Sequence, residues 1–177
     1  MIIGITGRYC AGKDTAAEYF IKKEYIHYSL SDFIREEAKK RGLTPDRPTL
    51  IKLGNELREK NGPSVLAKMA LAQMMPGKNY VITSIRNTAE VEELRKRKDF
   101  LFIAIDASVE IRWKRMQQRP DRPDNIKNLE DFISLEKQES SRDSTKQQLN
   151  LVFALADKVI MNDKDKKELY QQLDKLL

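Results

Sequence analysis

Gly7-Arg8-Tyr9-Cys10-Ala11-Gly12-Lys13-Asp14-Thr15 follows the apolar run Ile2-Ile3-Gly4-Ile5-Thr6 and precedes a helical pattern. The spacing G-x-x-x-x-G-K between a strand and a helix is typical of a phosphate-binding loop. Glycines let backbone N–H groups converge on phosphate oxygens, the start of the next helix adds positive potential, and Lys13 supplies a mobile cation. A glycine-rich turn without a ligand is the alternative, but the strand-loop-helix context favours phosphate binding, by Gly7, Ala11, Gly12, Lys13, Asp14 and Thr15.

The residue after the lysine departs from this pattern, because Asp14 stands where a serine or threonine usually places a hydroxyl on Mg²⁺. A carboxylate is a good hard-oxygen ligand for Mg²⁺, directly or through water. An acid in the first turn is equally favoured by the helix dipole, so both interpretations stay open. Asp14 and Thr15 are therefore the first candidate metal ligands.

Strand and helix patterns alternate along the rest of the chain. Near-continuous apolar runs at 80–85 and 100–105 are typical of strands that are covered on both faces. Further strands are predicted at 2–6, 25–30 and 158–161, and helices at 14–23, from an N-cap at Ser31 to near Gly42, and at 50–60, 64–75, 91–96, 108–118, over most of 129–156 and at 166–177. Residues 44–48 are predicted to form a loop.

This alternation predicts one α/β domain over 1–177, a P-loop NTPase-type parallel five-stranded sheet with helices on both faces. The expected additions are a helical, acceptor-binding insertion at about 43–76 and a lid at about 115–128. Sheets of this kind bind ligands at the carboxyl ends of their strands, so the functional residues should gather there.

Composition excludes several classes of protein. The chain has 177 residues, 40% of them hydrophobic, with one cysteine, Cys10, and one histidine, His27, which excludes an intramolecular disulfide or a zinc cluster. No apolar run reaches the roughly 18 residues of a membrane span, and the apolar start is too short for a signal peptide, so a cytoplasmic protein is expected. The net charge of +6 suits an anionic partner, but basic and acidic residues alternate, which does not favour nucleic acid.

The phosphate loop and three later motifs resemble the P-loop small-molecule kinases, which include nucleoside monophosphate kinases and dephospho-CoA kinases. Ser31-Asp32-Phe33-Ile34-Arg35 is similar to the adenylate-kinase segment Gly-Asp-x-x-Arg, and Ile105-Asp106 leading to Arg115-x-x-x-Arg119 resembles the lid helix of dephospho-CoA kinase. Ala156-Asp157-Lys158-Val159-Ile160-Met161-Asn162 resembles the last-strand pattern near which these enzymes hold the base. The overall likeness covers nearly the whole chain and is closest to an uncharacterised archaeal group of adenylate-kinase-like proteins.

This resemblance implies transfer of the γ-phosphoryl group of ATP, with Mg²⁺, to a small anionic acceptor. The first expectation for the acceptor is a (deoxy)nucleoside monophosphate; the alternatives are dephospho-CoA, or a nucleotide-binding regulatory module without turnover. It implies that Asp32 and Arg35 bind the acceptor and that Asn162 lies at the base. Clustered arginines require anions, and the resemblance implies a lid that closes on ATP with Arg115, Arg119 and Arg122, whereas pairing with nearby acids is the alternative.

Two further arginines are candidates for the acceptor. Arg86 matches the arginine that follows the third strand of adenylate kinases, and its fork suits a phosphate better than a surface ion pair. Arg58 lies in the helical insertion, where related kinases bind the acceptor, but pairing on the helix surface is an equal interpretation.

The end of the third strand departs from the family. Members often carry there an aspartate that organises Mg²⁺, and this chain has Thr83. Asp106, at the end of the next strand, is a candidate substitute, although a helix-capping role is an equal interpretation. His27, in an apolar strand, is expected to be a core or edge residue rather than a catalyst.

Overall fold

A parallel five-stranded sheet forms the centre of the part of the chain that the computed structural model describes, residues 1–118, 126–138, 143–144 and 146–177. The strands are β1 (Ile2–Gly7), β2 (Ile26–Ser29), β3 (Tyr80–Thr83), β4 (Phe100–Asp106) and β5 (Lys158–Met161). Their order is β2-β3-β1-β4-β5, and every pair is parallel. The predicted α/β fold class is therefore confirmed.

Helices connect the strands, as parallel pairing requires. In the described residues they are α1 (Lys13–Lys22), α2 (Leu30–Lys40), α3 (Arg47–Asn61), α4 (Val65–Ala72), α5 (Thr88–Leu94), α6 (Val109–Gln117), α7 (Leu129–Gln138), α8 (Leu149–Ala154) and α9 (Lys166–Asp174). The helices α3 and α4 lie within the insertion predicted at about 43–76. The outer bounds of that insertion and of the lid stay predictions.

The two faces of the sheet bury separate apolar clusters, which explains the uninterrupted apolar strands. Tyr80 and Ile82 of β3 pack on one face, with residues of α2, α4 and α5. Val81, between them, packs on the opposite face with residues of α1 and α9. Since successive side chains of a strand point to opposite faces, a strand covered on both sides must be apolar at every position.

Several predicted boundaries are wrong, among them those of α2, α3 and β3. The helix α2 begins at Leu30 rather than after an N-cap at Ser31. The helix α3 begins at Arg47, inside the predicted loop, because the side chain of Asp46 caps it by accepting a hydrogen bond from the Thr49 N–H (2.8 Å). Pro48 is tolerated there since the first turn has no use for its missing N–H.

The third boundary concerns β3, which ends at Thr83 rather than at residue 85. Ser84 has a φ of 62°, in the left-handed region that a strand does not permit. The long helix predicted over 129–156 is also divided, because Gln148 departs from helical geometry and donates its backbone N–H to the Arg86 carbonyl oxygen (2.7 Å).

Membrane-spanning helices are not found: across the described ranges, every helix is too short or too polar to cross a bilayer.

Candidate active site

The phosphate loop joins β1 to α1 and depends on two glycines at its ends. Gly7 has a φ of 152°, and a Cβ there would overlap the carbonyl oxygen of Ile105 in the neighbouring strand β4. Gly12 has a φ of 102°, and its Cβ would overlap the side-chain amide of Asn162. The loop is thus pressed between two neighbouring segments, and only glycine fits at either end.

Lys13 is the first residue of α1, and its Nζ donates to the carbonyl oxygen of Arg8 (2.7 Å) inside the loop. Arg8 is itself held, because its Nε lies 3.3 Å from Oδ2 of Asp106 and its guanidinium lies over the ring of Phe153, 5.4 Å from the centroid. The lysine therefore lies folded onto the loop, next to the helix start that carries Asp14 and Thr15.

Asn162 and Arg115 hold the phosphate loop in place through hydrogen bonds to backbone carbonyl oxygens. The Asn162 amide Nδ2 donates to the Ala11 carbonyl oxygen (2.8 Å), and the residue is 6% exposed. Arg115 reaches from α6 to the Asn162 carbonyl oxygen, which accepts from Nη2 at 2.8 Å, and to the Ala11 carbonyl oxygen at 3.5 Å. Their roles toward a base and in a lid stay predictions, and the structure adds a contact of both residues with the loop.

Asp106, the candidate metal ligand at the end of β4, is engaged on both carboxylate oxygens. Oδ2 pairs with Arg8, and Oδ1 accepts from the N–H of Ala107 (2.9 Å) and lies 3.8 Å from Nε of Arg112. Arg112 is 4% exposed and donates to the backbone carbonyls of Ala107 and Tyr9. Asp106 thus anchors two arginines at the base of the loop.

A cluster of hydroxyl groups lies at the ends of β2 and β3. Ser29 Oγ lies 2.9 Å from both Ser31 Oγ and Ser84 Oγ. Arg35 Nη1 donates to Ser31 Oγ (2.6 Å) and to Asp32 Oδ1 (2.9 Å). The left-handed backbone of Ser84 aims its hydroxyl into this cluster, and strain of this kind is concentrated at functional sites.

Arg86 follows Ser84 closely in sequence and contacts the segment that precedes α8. Its Nη1 donates to Oε1 of Gln147 (3.3 Å). The neighbouring Ile85 offers its carbonyl oxygen to Oγ1 of Thr6, the residue just before the loop (3.3 Å). The turn that carries Arg86 is therefore in contact with the strand that carries the phosphate loop.

Arg58 is placed differently from both sequence-based interpretations, an acceptor contact or a surface pair, which require an accessible guanidinium. Its side chain is 2% exposed and forms an ion pair with Glu90, which is fully buried; Nη2 lies 2.8 Å from Oε1. Helix periodicity cannot reveal this, because the partner is 32 residues away.

His27 lies on β2, an edge strand of the sheet, and so fits the expectation of a core or edge residue. Its Nε2 lies 2.8 Å from Oγ1 of Thr83, the residue that replaces the strand-end aspartate. Partial burial lowers the pKa of His27, and the carboxylates of Asp32 and Asp14 act in the opposite direction.

The predicted lid is described in part, because Arg119 and Arg122 lie outside the described residues. In the described residues after the predicted lid, Phe132 of α7 packs against Tyr9 of the phosphate loop, with ring centroids 5.7 Å apart. Trp113 meets the same Phe132 ring edge-on at 5.7 Å, which places Trp113 in packing, as predicted. The phosphate loop and α7 therefore share an aromatic contact.

Two buried residues of the site were missed by sequence reasoning, Asn87 and Glu90, both 0% exposed. The side chain of Asn87 caps α5 by accepting a hydrogen bond from the Ala89 N–H. In turn, the Glu90 carboxylate accepts a hydrogen bond from the Asn87 N–H (3.1 Å). The pattern Asn-x-x-Glu is the signature of a capping box and marks this helix start in the sequence. It does not reveal that the glutamate is buried.

Oxygen donors near the loop fit a magnesium ion that is held mainly by a nucleotide. Within the described ranges, no group of three or more histidine, cysteine, aspartate or glutamate side chains could hold a metal ion by itself. Mg²⁺ in phosphoryl-transfer sites is usually bound through one or two carboxylates, phosphates and water. Asp14 and Thr15, adjacent to Lys13, provide a carboxylate and a hydroxyl of that kind.

Relatives with similar sequences are found among archaea. A UPF0200 protein of Methanocaldococcus jannaschii is 33% identical over 181 residues, covering 100% of this chain and 89% of that protein. A UPF0200 protein of Pyrobaculum aerophilum is 31% identical, covering 99% and 96%. A UPF0200/UPF0201 protein of Archaeoglobus fulgidus is 33% identical over 146 residues, and there the match covers 79% of this chain but only 45% of the relative.

Solved structures of low sequence identity share the fold. Shikimate kinase from Acinetobacter baumannii, in complex with shikimate, superposes with a TM-score of 0.60 at 17% identity, covering 99% of this chain and 91% of that one. The protein TT1252 from Thermus thermophilus superposes with a TM-score of 0.64 at 18% identity, covering 99% and 95%. These superpositions show that the chain shares the fold of these proteins over nearly its whole length.

A family model described as "AAA domain" matches residues 3–147, from the first strand to the segment that packs against Arg86. With the loop geometry and the archaeal relatives, this match shows that the chain belongs to the AAA domain family and to the UPF0200 proteins.

Proposed function

We propose that the protein transfers the γ-phosphoryl group of ATP to a small anionic acceptor, and that the acceptor is a (deoxy)nucleoside monophosphate. The observation that carries the proposal is the contact between Thr6 Oγ1 and the Ile85 carbonyl oxygen, because it brings the start of the phosphate loop to the turn that carries Arg86. Donor and acceptor phosphates bound at these two segments would lie side by side at the carboxyl edge of the sheet.

On the donor side, the loop amides and Lys13 would hold the β- and γ-phosphates. Lys13 is bonded to a carbonyl oxygen of its own loop, and a phosphate oxygen would replace that partner with a full negative charge. Donors that are oriented in advance toward developing charge supply much of the rate enhancement in phosphoryl transfer.

On the acceptor side, the nucleophile of a nucleoside monophosphate is already an anionic oxygen. The difficulty is to bring two negatively charged phosphates together, so cations are needed more than a base. Arg35, oriented by Ser31 and Asp32, and Arg86, beside Gln147, supply them. Each charge-assisted hydrogen bond contributes roughly 1.5 to 3 kcal/mol.

Mg²⁺ belongs to the proposal together with ATP, with Asp14 and Thr15 as the residues that would hold it. When bound, the ion would neutralise charge on the phosphates that react. Asp106 is the weaker candidate, since both of its oxygens already serve Arg8, Ala107 and Arg112. As the resemblance implies, Arg119 and Arg122 would close on the phosphates together with Arg115, which contacts the loop at the Ala11 carbonyl oxygen.

Dephospho-CoA is the second candidate acceptor, and one observation favours it. A hydroxyl acceptor needs a carboxylate that orients it or takes its proton, and Asp32 lies directly beside Arg35, the candidate phosphate-binding arginine. Against it, Asp32 already accepts a hydrogen bond from Arg35 (2.9 Å) and is occupied in orienting that arginine. A nucleotide-binding module without turnover is the remaining alternative, motivated by Thr83 in place of the strand-end aspartate.

The test is transfer of labelled γ-phosphoryl from ATP to a panel of ribo- and deoxynucleoside monophosphates and dephospho-CoA, with Lys13→Ala as the inactive control. We expect turnover with at least one monophosphate, which Lys13→Ala abolishes. Transfer to dephospho-CoA alone would favour the second candidate. ATP binding without transfer to any acceptor would favour the module.

A further inference from the structure

Arg58 of α3 and Glu90 of α5 form a charged pair inside the protein. Nε and Nη2 of Arg58 lie 2.9 Å and 2.8 Å from the same oxygen, Oε1 of Glu90. Taking two charges out of water has a large desolvation cost, and a well-packed apolar pair would often be as stable or more stable. Stability alone therefore does not account for this pair.

The second carboxylate oxygen of Glu90 serves the turn between β3 and α5. Oε2 accepts from the backbone N–H of Arg86 (2.9 Å) and from that of Asn87 (3.1 Å). A capping-box glutamate needs to bond only the N-cap N–H, whereas this one takes a second bond and is fully buried. Because a carboxylate is rigid and planar, Arg58 on one oxygen orients the other against the turn.

The opposite side of the same turn is also held. The Arg86 carbonyl oxygen accepts from the Gln148 N–H (2.7 Å), and Asn87 Nδ2 donates to the Lys146 carbonyl oxygen (3.0 Å). With its N–H and its carbonyl both bonded, Arg86 has a fixed backbone, which sets the direction of its Cα–Cβ bond.

Helix α3 is shaped to let Arg58 reach this turn. Gly54 lies one turn before Arg58, and a Cβ there would be 3.3 Å from Nη1 of Arg58 and 2.9 Å from Cδ1 of Ile34. Glycine is unfavourable inside a helix, so its presence under the guanidinium fits a requirement for space. Nη1 has no hydrogen-bond partner in the described part of the chain, so the guanidinium is committed to Glu90.

We propose that Arg58 is a positioning residue: through Glu90 it fixes the turn between β3 and α5 and so orients Arg86 toward the acceptor phosphate. The part that concerns the acceptor rests on the proposed function. The link from Arg58 to the turn does not, and it is measured separately.

The first arm of the experiment measures amide hydrogen exchange at Arg86 and Asn87. Because Arg58→Met leaves a buried, unpaired carboxylate and could unfold the protein, Arg58→Lys and the neutral double variant Arg58→Met/Glu90→Gln are tested with it. We expect faster exchange at both amides in Arg58→Met and in the double variant, by about 3- to 30-fold. Arg58→Lys, which can still donate to Oε1, should stay within about threefold of the native rate.

Arg41→Met is the matched control. Arg41 also pairs with glutamates of α2 and α3, Glu37 at 2.7 Å and Glu56 at 2.9 Å, but it lies at the surface and contacts no part of the turn. Exchange at Arg86 and Asn87 should equal the native rate in this variant. Native exchange at both amides in all Arg58 variants would overturn the proposal.

The second arm compares KM values by using the monophosphate that the native protein turns over. Arg58→Met and Glu90→Gln should each raise the acceptor KM by about 3- to 30-fold and leave the KM for ATP unchanged. Glutamine has one carbonyl oxygen and cannot serve both Arg58 and the turn, so the double variant should be no worse than either single one. Independent, multiplying effects would mean that Arg58 acts apart from Glu90 and would overturn the proposal.

Turnover and positioning can fail separately. If the native protein transfers phosphate to no acceptor, the proposed function is wrong, and the exchange arm alone decides whether Arg58 holds the turn.

Discussion

The Nζ of Lys13 lies 2.7 Å from the carbonyl oxygen of Arg8, so the cation of the phosphate loop is bonded to the loop itself. Arg8 is anchored by Asp106, and Asp106 also lies 3.8 Å from Nε of Arg112. The lysine therefore starts from a fixed position beside the site where a phosphate would bind.

Lys13→Ala should fold normally and lose nucleotide binding, because in the proposed function this side chain binds the phosphates and it fills no apolar core position. ATP with Mg²⁺ at about 100 times its Kd should stabilise the native protein by about 2.7 kcal/mol and the variant by much less. Differential scanning fluorimetry measures the shift in Tm. Lys68→Ala, a change at an exposed lysine of α4, should keep the full shift. An equal shift in Lys13→Ala would contradict the phosphate-loop assignment.

Asp14→Asn should raise the Mg²⁺ concentration that gives the half-maximal rate, because a neutral amide is a weaker ligand for a hard cation. Asp106→Asn is the informative comparison. Its carboxylate is engaged by Arg8, and we expect a lower Tm with an unchanged Mg²⁺ requirement. A native Mg²⁺ dependence in Asp14→Asn, at full activity, would assign Asp14 to the helix dipole instead.

Arg86→Ala should be more damaging than Asp32→Asn with nucleoside monophosphates and should act mainly on the acceptor KM. In the proposed function the Arg86 guanidinium binds a charged phosphate, whereas an anionic nucleophile needs no base. Steady-state kinetics with monophosphates and with dephospho-CoA separate the two cases. If a hydroxyl is the acceptor, losing the base Asp32 should reduce kcat by about 10² to 10⁴. A loss of kcat of this size in Asp32→Asn, together with efficient turnover of dephospho-CoA by the native protein, would favour dephospho-CoA as the acceptor.

The stability of the native protein should fall as the pH is lowered through the range just below 6.5. Burial lowers the pKa of His27 in the folded state, so the unfolded chain binds the proton first and acidification favours unfolding. His27→Gln can keep a hydrogen bond to Thr83 without titrating, and its Tm should depend less on pH in this window. Identical pH profiles of Tm for the two proteins would show that His27 does not contribute.

The phosphate loop and the sheet were predictable because each depends on local pattern. The apolar residues 2–6, the G-x-x-x-x-G-K spacing and the helix that follows are all contained in neighbouring residues. Boundaries were less predictable where a side chain decided them, as when Asp46 caps α3 ahead of Pro48. The left-handed backbone of Ser84 ends β3 early, and serine gives no sequence signal for it.

The candidate site was predictable as a set of residue types but not as a set of contacts. Asp106 was identified as a possible metal ligand. In the structure its carboxylate pairs with Arg8, which lies 98 residues away in sequence, and accepts a hydrogen bond from the Ala107 N–H. His27 was expected to be a core or edge residue, and its hydrogen bond to Thr83 spans 56 residues. No periodicity within either segment carries that information.

Local chemistry along the chain thus determined the α/β order, the phosphate loop and the arginines that could bind an acceptor. Tertiary structure alone decided that Arg58 is buried while Arg35 stays at the surface, although both lie on helices of similar, charge-rich composition. The physical reason is that a charged side chain is stable inside a protein only when a side chain of opposite charge is buried beside it. Glu90 reaches Arg58 only when β3 and α5 pack against the helical insertion.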